Sequence, residues 1–360
     1  MPEERPGTLS ATGRNLSYDF VRCVAMVFVV AVHALRVVDA RGAVAQIYVA
    51  VGDALFLTAN ALFFMLSGKF NMRNRNAEEP MRYYLRKLRG VVLPVLVLFL
   101  ARTIYEMYLD YGSVAHFLSV YLRNCLGLFA NIEYWFMFSL ISMLAAVPLL
   151  VNMVKPLSRR GKSVFLTCGV AWFAVLFMAN NLGLQVGFSF ILGVYWFLFV
   201  IGSFVEELFD RGDAWRWAAP AGLASVVACA LLYLRGWSVG AFDNSPLYVV
   251  GSICVLLCLI RLGKCICGGR LGRIVEFCSK HSFTVYMVHI PVLLIVIGWA
   301  QGCAASLSYG VRSIPLHLLV TLVTVLLSLI VATLIDTLAI GPLQRLFDRL
   351  VSRLESPRSR

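Results

Sequence analysis

Tyr18-Asp19-Phe20-Val21-Arg22-Cys23-Val24-Ala25-Met26-Val27-Phe28-Val29-Val30-Ala31-Val32-His33-Ala34 is an apolar run of membrane-helix character that still holds a carboxylate, a guanidinium and an imidazole. His33 follows Arg22 by eleven positions. At 3.6 residues per turn that is almost a whole number of turns, so both fall on one stripe, about 16 Å apart along the axis. Asp19, three residues before Arg22, is placed to pair with it on that stripe. Burying Arg in a bilayer costs about 2.5–3.5 kcal/mol on insertion scales. The stripe is therefore expected to face a polar, protein-lined cavity. The competing account has Arg22 snorkelling to the head groups and His33 satisfied in the interior; the shared stripe weighs against it.

Outward from this run, the chain is 60% hydrophobic and 14% charged, with a mean hydropathy of +0.81, which excludes an ordinary soluble domain. Apolar segments of spanning length recur at roughly 20–38, 46–68, 90–109, 133–154, 163–182, 187–205, 215–234, 245–262, 281–300 and 313–338. The expected fold is all-α, a polytopic bundle of about ten membrane helices. A polar N-terminus (1–17) precedes the membrane domain (18–340), and a basic, Leu-spaced amphipathic tail follows it (341–360). Residues 1–17 lack signal-peptide character and no cleavage site follows the first span, so that span is expected to be an uncleaved anchor. The net charge of +13 does not point to nucleic acid. With the N-terminus inside, the outer loops hold only Arg36, Arg41, Arg123, Arg235 and Arg312, which by the positive-inside rule puts both termini in the cytoplasm. Of ten cysteines, Cys265, Cys267 and Cys278 lack zinc-type spacing, so no metal is expected.

Further candidates follow in chain order. Ser67 and Gly68, near the end of the second span, allow close backbone approach. Asp53 lies at a depth comparable with His33 and either orients the imidazole or is solvated at the interface. Arg82, Arg86 and Arg89 share a helical face before Pro94. Such a face suits the phosphates of a nucleotide-bearing donor; a topology signal with anionic-lipid contact is the stronger reading of it taken alone. Arg102 and Glu106 are one turn apart and expected to pair. Glu133-Tyr134-Trp135-Phe136 opens the fourth span, where an aromatic pair usually marks the membrane interface. Pro291 frees a carbonyl near His289, so a kink with polar lining is plausible there, as is a purely structural histidine.

Together, Asp19-x-x-Arg22 with Arg22-x10-His33, Phe63-Phe64-Met65-Leu66-Ser67-Gly68, Arg86-Lys87-Leu88-Arg89 before Pro94, Tyr134-Trp135-Phe136 and Tyr286-Met287-Val288-His289-Ile290-Pro291 resemble the acyltransferase-3 family, in order from about residue 15 to 338. Its members are integral-membrane O-acyltransferases of bacterial surface carbohydrates. The resemblance implies a cytoplasmic acyl-CoA donor, usually acetyl-CoA, and a carbohydrate hydroxyl acylated at or beyond the outer face of the cell membrane. The family's critical arginine and histidine match Arg22 and His33, and its R-x-x-R pair matches Arg86 and Arg89. Lys69 departs from the family, many members having an apolar or aromatic residue after Ser-Gly. No extracytoplasmic hydrolase-like domain is expected at the C-terminus, so the acceptor is expected to be reached by the membrane core or through a separate partner.

Acylating an alcohol from a thioester needs a base that titrates near neutrality, and imidazole does. His33 is expected to deprotonate the hydroxyl or briefly to carry the acyl group. Asp19, Asp53 or Glu106 would hold its tautomer. Arg22, Arg82, Arg86 and Arg89 would hold CoA phosphates or stabilise the oxyanion. Ser67, Asp53, Glu106, Glu133, Trp135 and His289 are the candidates on the acceptor side, a surface or lipid-linked glycan. Membrane lipids are expected partners and homo-oligomers are open. The main rival is a transporter or flippase for a lipid-linked glycan or acyl intermediate, which also needs a polar cavity in the bundle. No internal repeat or matched pair of interrupted helices supports it.

Overall fold

Helix α1 (Leu16–Ala34) begins at Asn15, whose side chain accepts from the Ser17 amide, and ends in a 3-10 turn, Leu35–Val37. The computed structural model describes residues 13–73, 79–110, 113–126, 134–184, 186, 193–209, 214–240, 244–303 and 309–355. Among the described residues the elements are all helical, and nine helical stretches are long and apolar enough to cross a membrane. The second span is two helices, α2 (Ala43–Phe56) and α3 (Thr58–Met72), broken at Leu57. The break is satisfied from outside: the Tyr248 hydroxyl donates to the Leu57 carbonyl at 3.0 Å. Then α4 (Pro80–Lys87) passes through a π-helical turn, Leu88–Val92, into α5 (Leu93–Asp110). The short α6 (Val114–Cys125) and the spans α7 (Trp135–Val154) and α8 (Arg159–Asn181) follow.

The sixth expected span differs. Residues 187–192 lie outside the described ones, and beyond them α9 (Val194–Gly202) is short, giving way to a single turn, α10 (Val205–Leu208). Helices α11 (Ala214–Leu234) and α12 (Pro246–Ile266) are full spans. Helix α13 (Gly269–Cys303) begins twelve residues before the expected 281 and runs through Pro291 for 35 residues. Finally α14 (Ser313–Ile335) leads through a second π-helical turn, Asp336–Ile340, into the amphipathic α15 (Gly341–Glu355).

Polarity is arranged for a lipid solvent. On α14 the residues His317, Thr321, Thr324 and Ser328 are buried at helical spacing, while Leu318, Leu322, Leu326, Ile330 and Leu334 are exposed. A water-soluble helix would do the opposite. Helix α1 packs against α3, α12, α13 and α14, so its polar stripe is enclosed by protein. Opposite it, α9 is buried almost entirely, with Phe197, Leu198, Phe199 and Ile201 in the core. Helix α9 crosses α3 at backbone contact: a Cβ on Gly68 would lie 1.7 Å from the Phe199 carbonyl oxygen, and one on Gly202 would lie 2.0 Å from that of Met65. Only glycine fits at either position. The expected close approach near Ser67 and Gly68 is thus made by Gly68, while the Ser67 carbonyl accepts from the Asn71 amide at 2.7 Å.

Gly68→Ala should therefore destabilise the bundle by about 3 kcal/mol, the upper end for overpacking, because backbone cannot yield as a rotamer can. A Cβ on Gly298 meets nothing within 4 Å, so Gly298→Ala should be neutral or slightly stabilising. Thermal midpoints of the two variants in detergent compare them directly.

Candidate functional site

The polar stripe of α1 begins at Asp19, which is 2% exposed. Its carboxylate accepts from Arg14 Nη2 at 2.6 Å and Nε at 3.0 Å, from Arg22 Nη1 at 3.1 Å, and from Ser279 Oγ on α13 at 2.6 Å. A buried carboxylate survives only when its lone pairs are taken, and here two helices and the chain before α1 supply the donors. The expected Asp19–Arg22 pair is present; Arg14 and Ser279 complete it. Two guanidiniums share this one carboxylate, and Glu276 acts electrostatically on Arg14. Arg22 spends one N–H on Asp19 and lies over the Phe70 ring at 4.7 Å, so it keeps donors for an anion.

Further along α1, His33 is half-buried, and its ring lies 5.3 Å, centroid to centroid, from that of His289 on α13. His289 is fully enclosed, and its Nδ1 bonds the Tyr286 carbonyl at 2.5 Å. A carbonyl only accepts, so this bond assigns the proton to Nδ1 and the lone pair to Nε2. Among the described residues nothing hydrogen-bonds that buried Nε2. An unpaired buried acceptor costs about 1–3 kcal/mol, which a ligand group or a neighbouring N–H would recover.

Aromatic packing brings the other motifs to this pair. Phe136 lies 4.5 Å from Phe64 and 4.7 Å from Tyr286, and Tyr286 lies 5.6 Å from His289. Trp135 lies 5.0 Å from Tyr195, the rings tilted at 37°, and contacts Phe64. Segments from α1, α3, α7 and α13 thus converge on the two imidazoles.

The remaining predicted residues lie elsewhere. Among the described residues no carboxylate bonds the His33 ring: Asp19 belongs to the arginine cluster, Glu106 is paired with Arg102 at 2.8 Å, and half-buried Asp53 makes no side-chain hydrogen bond. The expected carboxylate partner of His33 is replaced by a second histidine. Glu133 lies outside the described residues. Arg82 pairs with Glu79 at 2.9 Å, Arg86 reaches the Arg82 carbonyl at 3.4 Å, and Arg89 pairs with Asp348 of α15 at 2.6 Å. The first two are exposed. Lys69 is neutralised by Glu206, which also accepts from the Tyr18 hydroxyl at 2.9 Å. Its departure from the family pattern is a local pair joining α3 and α10 to α1.

Two features are absent from the sequence reading. His281, 3% exposed, bonds Asp336 at 2.5 Å, and Thr284 donates to the same carboxylate at 2.6 Å. The i, i+3 spacing of His281 and Thr284 was the available signal. His317 is structural: its Nε2 donates to the Ala31 carbonyl at 2.9 Å and its Nδ1 accepts from Tyr48 at 2.7 Å. Among the described residues no cluster of three metal-ligating side chains occurs.

A sequence profile of the acyltransferase-3 family, described as an acyltransferase domain, matches residues 15–335, from the cap of α1 to the last residue of α14. No curated protein and no solved structure matches the chain.

Removing the carboxylate that holds the arginine cluster leaves two cations and a serine without their acceptor. Asp19→Ala should cost about 3 kcal/mol, the low end for breaking a buried pair, because both arginines are partly exposed. Adding Arg22→Ala should restore part of the loss. Denaturation of the two single variants and the double variant in detergent measures the coupling.

Proposed function

The chain belongs to the acyltransferase-3 family, and on that premise we propose that this membrane acyltransferase is an O-acyltransferase, moving an acyl group from cytoplasmic acyl-CoA to a hydroxyl of a cell-surface or exported carbohydrate. Acetyl is the acyl group the reading puts first, and the cell membrane, with both termini in the cytoplasm, is its location. The observation that carries the proposal is the His33–His289 pair, in which a buried imidazole nitrogen stands without a partner beside a second, half-buried imidazole.

In this mechanism His33 is the general base. The acceptor hydroxyl gives it a proton as its oxygen attacks the thioester carbonyl. The carbon–sulfur bond breaks, and the CoA thiolate takes the proton back from the His33 imidazolium, leaving an ester and free CoA. His289 offers Nε2 to the N–H of His33 or to the acceptor hydroxyl, which fixes the tautomer and orientation that the reaction needs. That is the service a carboxylate gives in other imidazole-based sites.

Distance divides the arginines from the chemistry. Arg22 is about 16 Å along α1 from His33, too far to touch the reacting carbonyl, so its free donors serve the donor's phosphates or its arm. Arg82, Arg86 and Arg89 meet the CoA phosphates at the mouth of the bundle. Trp135 and the aromatic wall beside it line the acceptor side.

Thiol release from acetyl-CoA by the protein in vesicles, with crude surface glycan added, tests the reading. Release should require glycan, fall about 10²–10⁴-fold in His33→Ala, and fall about tenfold in His289→Ala, the factor carried by roughly 1.4 kcal/mol of barrier. Release that survives His33→Ala would move the base to another residue. No release from any acyl-CoA, in protein shown to be folded, would favour the transporter reading.

A further inference from the structure

Beyond the histidine pair, at the end of the bundle where α1 finishes, the turn after α1 and the adjoining ends of α13 and α14 enclose a cavity of about 230 Å³. Its floor is apolar, with Ile297, Ala300 and Leu316; its rim carries Arg36, Asp39 and Gln301. It is smaller than the about 300–1,000 Å³ of sites that enclose drug-sized ligands, so it suits one sugar ring rather than an oligosaccharide.

The two charges on the rim do not cancel. Asp39 is committed to its own turn: its carboxylate takes Arg41 Nε at 2.8 and 2.9 Å and the Gly310 amide at 2.9 Å. Those bonds, Arg41 foremost, hold its pKa down at about 2. Stability gained this way is lost only as pH falls through that value, so Asp39 stays ionised and engaged at neutral pH. Arg36 uses Nε on the His33 carbonyl at 2.8 Å. Among the described residues no carboxylate pairs with it. Arg36 lines the cavity, and a guanidinium offers the fork geometry that matches a carboxylate or phosphate.

We propose that this cavity is an anion-selecting acceptor subsite, that Arg36 is its specificity-determining residue, and that the acceptor it takes is an acidic saccharide unit. The inference rests on His33 as the transfer centre and deepens that reading by naming the charge of the acceptor. Arg36 follows His33 by three residues, about 4.5 Å along the helix axis, and its bond to the His33 carbonyl ties the cavity rim to the backbone of that residue. In the proposed pose the ring's C–H face rests on Ile297, Ala300 and Leu316, and a hydroxyl extends from the cavity toward His33, which stands outside its lining. Gln301 supplies an amide for a second hydroxyl.

The test is binding to the full chain in nanodiscs of uncharged lipid, read by the shift in thermal midpoint with methyl glucuronoside or methyl glucoside. Wild type should bind the glucuronoside and scarcely the glucoside. Arg36→Gln should weaken glucuronoside binding about ten- to hundredfold, the range for losing a charge-assisted hydrogen bond. Arg36→Lys should recover only part, since an ammonium cannot make the fork. With transfer assayed, the ratio of kcat/KM between an acidic acceptor and its methyl ester should collapse in Arg36→Gln. Equal binding of the two glycosides by wild type, or unchanged glucuronoside binding in Arg36→Gln, would overturn the proposal. So would Arg36-dependent binding of a short-chain phosphatidylglycerol without glucuronoside binding, which would make the cavity a lipid head-group site. Because binding is read without acyl transfer, Arg36-dependent glucuronoside binding in protein whose thiol release ignores His33 would support the subsite while the transfer assignment failed.

Discussion

A carboxylate with almost no solvent contact must have every lone pair answered, and Asp19 meets that demand by holding three segments together. Arg14 comes from the chain before α1, Arg22 from α1, and Ser279 from α13. The bond to Ser279 fixes the position of α13 beside α1, and α13 carries His289. The spacing of the two imidazoles therefore depends on a polar contact some 20 Å away along α1, at about 1.5 Å per residue. In a bilayer, where apolar packing gives helices little reason to choose one register over another, such a contact specifies what leucine packing would leave loose.

The second constraint is steric. Gly68 and Gly202 let α3 and α9 touch at their backbones, and this draws Phe64 and Phe199 into one core with Phe136 and Tyr286. Three short motifs that are far apart in the chain meet there. Each alone is a common apolar phrase in a membrane protein. Their convergence on the histidines, rather than any one of them, gives them a shared site.

Much of this was legible before the structure. The stripe from Asp19 to His33, the Asp19–Arg22 pair and the Arg102–Glu106 pair follow from helical spacing within single segments, and the close approach at Gly68 follows from the small size of the residue. What was missed depends on contacts between segments. His33 was expected beside a carboxylate because carboxylates commonly orient imidazoles; helix packing put His289 there instead. His281 and Asp336 were read as the ends of two spans, and only the antiparallel packing of α13 and α14 joins them. The sixth apolar segment, expected as a full span over 187–205, holds the short, buried α9 instead, since hydropathy cannot tell a segment that faces lipid from one buried among other helices. The family profile covers residues 15–335, which takes in His33 and His289 and stops one residue short of Asp336, and it names an activity rather than a geometry.

The π-helical turns show where the bundle departs from regular helix, and both lie in the same region. Leu88–Val92 carries Arg89, and Asp336–Ile340 carries the carboxylate that holds His281. They are joined through α15: Asp348 pairs with Arg89, and Gln344 donates to the Arg89 carbonyl at 3.2 Å. Such turns are rare and cost backbone regularity, and they concentrate at functional sites. Under the proposed reading this region is the donor's entrance, where a carboxylate of α15 occupies the guanidinium that a CoA phosphate would take. The bundle then divides by charge along α1. Guanidiniums wait at one end for phosphates, and two imidazoles stand further along for the hydroxyl. A donor that spans the distance between them joins recognition to chemistry without either site having to move.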